Sequence, residues 1–156
     1  MHRSLLRFPM VVLVAQCAIP FSLRADDQSH LTRLGVPAWH AKGITGNGVT
    51  VAILDSGFRG YRSHLGKGLP RAVETRSFRD DGNLEARDNI HGLLCAEVIH
   101  TIAPDAKLLF ANWQPDEPQS FLKAVAWARQ RGATIISCSI IMPGWSDGLG
   151  GGDAHR

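Results

Sequence analysis

The sequence predicts an α/β fold, a parallel sheet with helices on both faces. Three apolar runs carry that expectation: Val49 to Leu54, Lys107 to Trp113 and Ala133 to Ile140. Such short apolar, β-branched or aromatic runs read as strands buried on both faces. Between them lie two stretches with helical spacing, Leu93 to His100 and Ser120 to Arg131. The order strand, helix, strand, helix, strand indicates parallel pairing with right-handed crossovers.

The chain has 156 residues, about one domain or less. It opens with Arg3 and Arg7, then a mostly apolar run from Phe8 to Phe21. Leu23-Arg24-Ala25 offers a cleavage site, so residues 1–25 read as a secretory signal peptide. The run is too short and interrupted for a comfortable membrane span. An attached anchor is the alternative; a lipoprotein cut before Cys17 is disfavoured by bulky Gln16. The expectation is export to the periplasm or beyond, with no stable membrane insertion after cleavage. Three of the 17 basic residues, Arg3, Arg7 and Arg24, fall in the leader. That leaves 14 basic residues against 14 acidic ones, a net charge of zero. With no basic stripe interleaved with aromatics, no nucleic-acid partner is expected. Export would permit a Cys95–Cys138 disulfide. Both cysteines sit in apolar runs of different elements, which favours two buried free thiols.

Residues 26–34 are polar and read as a linker or N-terminal arm. Val36 to Ala41 suggests a helical turn opened by Pro37. Gly43, Gly46 and Gly48 punctuate the approach to the first strand. Ala72 to Phe78 reads as a second short strand, and Arg79 to Gly82 as a turn. Leu94 with Val98, and Cys95 with Ile99, are four apart and give one apolar helical face. Asp88 or Asn89 is the candidate N-cap. Ala103 to Ala106 is a turn, and Gln114 to Gln119 a polar loop. Ser120 caps the next helix, with Phe121, Leu122, Val125 and Ala128 inward and Gly132 as its left-handed stop. Residues 35–143 form the domain; the Gly-rich tail, 144–156, carries no fold signal.

Asp55 ends the first strand, at the sheet edge where ligands and catalytic groups collect. His91 starts a later helix that faces the same edge. An Asp that accepts the Nδ1 proton of a His fixes its tautomer and makes it a competent base. A turn-capping Asp and a helix-capping His are the plain alternatives.

These residues carry a resemblance. Gly46 to Gly57 resembles the Asp motif of the subtilisin-like serine proteases. Asp88-Asn89-Ile90-His91-Gly92, with Cys95-Ala96, resembles their His motif, usually His-Gly-Thr-His-Val/Cys-Ala-Gly. Ala103-Pro104, Ala126 to Ala128, Gly132-Ala133 and Ile135 to Ser139 match further pieces in order, from about Gly35 to Met142. The resemblance implies an Asp-His-Ser triad with Asp55 as orienter and His91 as base. It implies a peptide or protein substrate held along Ser139, Ile140 and Ile141 by β-augmentation. Calcium is possible by the same resemblance; no ligand cluster can be assigned, and no other cofactor is implied. Some positions depart from the pattern. Leu93 and Leu94 replace Thr-His, and Glu97 replaces a small Gly. Ile140, Ile141 and Met142 stand where Leu-Gly-Gly is usual, which restricts backbone approach. Cys95 fits a branch of the family that carries Cys there.

No Gly-Thr-Ser nucleophile motif occurs in the chain. Losing the serine of such a triad costs roughly a millionfold in kcat. The expectation is a serine endopeptidase by descent, incomplete toward its C-terminus, with the chain as given inactive. The leading alternative is a non-catalytic remnant that binds peptide or protein. An aspartic-protease half-site also fits Ile53 to Gly57. A metal site of His91, Cys95 and Cys138 is a further rival, though no paired Cys-x-x-Cys supports it.

Overall fold

The computed structural model describes residues 29–86, 89–140, 142 and 145. The leader expected over 1–25, Asp88, Ile141 and nearly all of the Gly-rich tail lie outside the described residues.

The elements are α1 (Ser29–Arg33), α2 (Val36–His40), β1 (Thr50–Leu54), α3 (Tyr61–His64), β2 (Glu74–Phe78), α4 (His91–Ile102), β3 (Lys107–Trp113), α5 (Pro118–Gln130) and β4 (Ile135–Ser137). The four strands form one sheet in the order β2-β3-β1-β4, and every pairing is parallel. β1 lies centrally, with Leu54 beside Ala111 of β3 and Ile53 beside Ser137 of β4. All of β3 after Lys107 is buried, as a central parallel strand requires.

Each face of the sheet has its own core. Val51, Ile53, Leu108 and Phe110 meet Leu93 and Ala96 of α4, with Phe58, Tyr61 and Leu69. The Phe58 and Phe110 rings stack at 4.8 Å. On the other face Ala52, Leu54, Leu109 and Ala111 meet Ala124, Trp127 and Ala128 of α5. The small side chains there let the helix lie close to the sheet. Trp113, Phe121 and Trp145 form a run of rings that joins the segment after β4 to this face.

Several elements differ from the sequence expectations. The polar arm contains a short helix, α1, whose Leu31 is buried. Ser120 lies inside α5 rather than capping it. Its hydroxyl donates to Glu117 O at 2.9 Å and accepts from Gln114 N at 2.9 Å. The buried stripe of α5 is Ser120, Ala124, Trp127 and Ala128; of the four expected residues only Ala128 is fully buried. On α4 the buried face is Gly92, Leu93 and Ala96, while Leu94 and Val98 point outward at 48% and 60% exposure. Apolar residues surround this helix, so spacing alone did not choose its inner face. The last strand is three residues long and forms the sheet's edge. Ile135 and Ile136 are therefore exposed, where a buried strand was expected.

Candidate functional site

Asp55 follows directly on β1, and its N–H donates to Ala111 O at 3.0 Å, extending the ladder by one residue. Its carboxyl group is thereby held at the carboxyl edge of the sheet, 1% exposed. His91 is the first residue of α4. Asn89 sets it there: its Oδ1 accepts the His91 backbone N–H at 2.8 Å, and its Nδ2 donates to Ser56 Oγ at 2.7 Å. The N-cap is Ile90, which makes no side-chain cap bond, rather than the expected Asp88 or Asn89; Asn89, one residue earlier, holds the first helical N–H and ties the helix to the β1 turn.

Strand end and helix start approach closely because two glycines permit it. A Cβ on Gly92 would stand 2.7 Å from Asp55 Cβ and 2.8 Å from Gly57 O. A Cβ on Gly57 would stand 2.8 Å from Asn89 O. Neither fits between backbone atoms that cannot yield. With both absent, Gly92 N donates to Gly57 O at 3.0 Å. His91 Nδ1 then meets Asp55 Oδ2 at 2.7 Å. A buried acceptor fixes the proton on Nδ1, which leaves Nε2 as a free acceptor. The ring is 44% exposed, so Nε2 is reachable from solvent.

Cys95 lies one turn further along α4. Its Sγ is 3.8 Å from Nδ1 and 3.9 Å from Nε2 of His91. Near equality of the two distances means that it addresses neither nitrogen along its lone pair. Burial pushes the thiol above its ordinary pKa, the Asp55 charge pushes the same way, and a hydrogen bond with the Ser139 side chain opposes them. Cys95 is therefore a poor thiolate nucleophile.

The structure brings Asp55, His91 and Ser139 to one edge, with Ser139 linked through Cys95. Among the described residues no hydroxyl is hydrogen-bonded to His91. Ile140 turns toward the α5-side core. Cys95 and Cys138 are both free and half-buried. Cys138 packs against the α5-side core and does not join the metal donors first considered. The donor atoms that do cluster, those of Asp55, His91 and Cys95, lie within 4.8 Å of one another. They form a mixed O, N, S set, unlike the all-oxygen shell that calcium takes. Parallel pairing also removes the aspartic-protease half-site, which needs an all-β fold.

Asn112 was not singled out from the sequence. It sits in β3 beside Asp55, fully buried. Its Nδ2 donates to Asn83 O at 2.9 Å and Leu84 O at 3.2 Å, pinning the loop that leads to α4. The available signal was a polar amide closing the apolar run Leu108 to Ala111.

A second imidazole–carboxylate pair lies further along α4. His64 Nδ1 meets Glu97 Oε1 at 2.6 Å, and Gly68 backs the carboxylate. No helix among the described residues is long and apolar enough to cross a membrane. No protein-family model and no curated protein matches the chain.

Proposed function

We propose that this chain carries the Asp–His portion of a subtilisin-like serine endopeptidase. Its substrate class is peptide or protein, and its setting is the periplasm or the extracellular space. The observation that carries the reading is the 2.7 Å bond from His91 Nδ1 to buried Asp55 at the carboxyl edge of a parallel sheet. The motif order around it supports the same reading.

In that chemistry a serine hydroxyl, supplied from outside the described residues, attacks the scissile carbonyl carbon. His91 Nε2 takes the hydroxyl proton as the C–O bond forms. The same proton passes to the leaving amine as the C–N bond breaks. Asp55 stays ionised, holds the ring orientation and faces the positive ring between the two transfers. Water then repeats the cycle on the acyl-enzyme. Without such a hydroxyl within reach of Nε2, His91 has no nucleophile to activate.

Sequencing the DNA beyond the codon for Arg156 tests this. A frame that encodes an Asn segment and then Gly-Thr-Ser gives an extended protein to express. Its peptide hydrolysis should vanish in Asp55→Ala and in His91→Ala. Absence of such a frame removes the endopeptidase reading. A second reading, peptide binding without turnover, is favoured by β4, whose outer edge pairs with no other strand among the described residues. It requires binding that survives His91→Ala.

A further inference from the structure

The first turn of α4 carries His91, and the N-cap before it lends no side chain. The grip on that turn comes from Asn89, through the His91 N–H. It is only as firm as the segment that holds Asn89. No helix or strand lies between Phe78 and His91 among the described residues. The backbone groups of this segment must therefore find partners elsewhere.

Three anchors supply them. Arg59 N donates to Asn89 O at 3.1 Å, and Gly60 N donates to Glu85 Oε2 at 2.9 Å. Both come from the loop after β1. The third is Asn112, which ties the segment to the sheet. Its Nδ2 directs its two hydrogens to Asn83 O at 2.9 Å and Leu84 O at 3.2 Å.

Asn112 also neighbours Asp55. Ile53 and Phe110 are register partners in the α4-side core. Two residues on, Asp55 and Asn112 stand side by side on the same face, about 4.8 Å apart in strand spacing. An amide suits that place, because one nitrogen offers two donors and no charge. Lys or Arg would bring donors with a positive charge that competes with His91 for Asp55. An ionised Asp would bring no donor and set a like charge beside Asp55. A hydroxyl has one hydrogen to give.

We propose that Asn112 is a positioning residue for His91. It fixes Asn83 and Leu84, and through them the segment that brings Asn89 to the first turn of α4. Being neutral, it leaves the Asp55 carboxylate to His91. The inference rests on the reading of His91 as a base, yet its test observes the ring directly and needs no serine.

Nitrogen-15 NMR of the histidine rings tests it, with His91→Gln assigning the His91 signals. In the unaltered chain the neutral ring should carry its proton on Nδ1 and leave Nε2 bare. Asn112→Leu has a similar shape and no donor. It should speed exchange of the Nδ1 proton with water at least about tenfold, as loss of two hydrogen bonds loosens the turn. Signals of both tautomers should then appear. Asn112→Thr suits a strand and offers one hydrogen; it should move the ring the same way and serves where the Leu variant does not fold. Trp127→Phe, in the α5-side core, should lower stability and leave the His91 ring unchanged. Circular dichroism checks that the variants keep the fold. A His91 ring indifferent to both Asn112 variants, or moved equally by Trp127→Phe, overturns this inference alone. A ring with no preferred tautomer in the unaltered chain overturns it together with the reading of His91 as a base.

Discussion

Two histidine–carboxylate pairs lie along α4, and only one of them builds a site. His91–Asp55 and His64–Glu97 have nearly equal bonds, 2.7 and 2.6 Å. The carboxylates differ. Asp55 is a short side chain on a strand end, 1% exposed and enclosed by backbone. Glu97 is a long side chain on a helix, 27% exposed. The first geometry is imposed by the fold. The second is chosen by two side chains that could choose otherwise. Hydrogen-bond length therefore says little about function, and the rigidity behind the acceptor says more.

The largest effect concerns catalysis in a protein completed with its serine. Asp55→Asn should lower kcat by about 10⁴, as loss of the orienting carboxylate does in such triads. Glu97→Gln should change it less than about tenfold, since its partner His64 takes no part in the proposed chemistry. Equal losses would break the comparison.

The supporting glycines give the next contrast. Gly92→Ala should cost about 1–3 kcal/mol in denaturant titrations, because the new methyl meets backbone and the Phe58 ring. Gly68→Ala meets the flexible end of Glu97 and should cost under about 1 kcal/mol. A larger cost at Gly68 would mean that Glu97 is held as firmly as Asp55.

His100, in the last turn of α4, sharpens the comparison from the other side. Its Nδ1 is buried with no hydrogen-bond partner, and burial depresses its pKa below 6.5, against the pull of Asp105. The unfolded chain then binds the proton more readily than the folded one. The stability it contributes is present above 6.5 and is lost as pH falls through that value toward the folded pKa. His100→Phe should flatten the denaturation midpoint between about pH 7 and about pH 5. A slope that persists would assign it to another group.

The smallest effect is at the part-buried His64–Glu97 pair itself. His64→Gln should change stability by about 0.2–1 kcal/mol, the range for surface ion pairs. Added salt should shrink it further.

Much of the fold was legible in the sequence, and the failures share a cause. Lys107 to Trp113 was read to the residue, because a central strand is buried on both faces and shows it. Ile135 to Ser137 has the same apolar character, yet its neighbour is missing on one side. Composition reports what a segment is suited to bury against, not whether that surface is present. The same holds for Leu94 and Val98, whose spacing is helical but whose face is open. Asp55 and His91 were legible because a strand end and a helix start share one edge in any parallel sheet. Asn89, Asn112 and the mutual fit of Gly57 and Gly92 were harder to see. Their roles exist only once distant segments meet.

The core beneath the site also has a consequence for the order in which the molecule can be made. Asp55, Gly57, Phe58, Asn89, His91, Gly92 and Asn112 all precede the end of β3, as does every buried residue of the α4-side core. β4, by contrast, joins β1 across 84 residues, through Thr134 and Thr50. A chain emerging from its N-terminus can assemble the imidazole and its carboxylate before the outer strand has been synthesised. The proton-handling corner is the early product of translation, and the apolar edge beside it the late one.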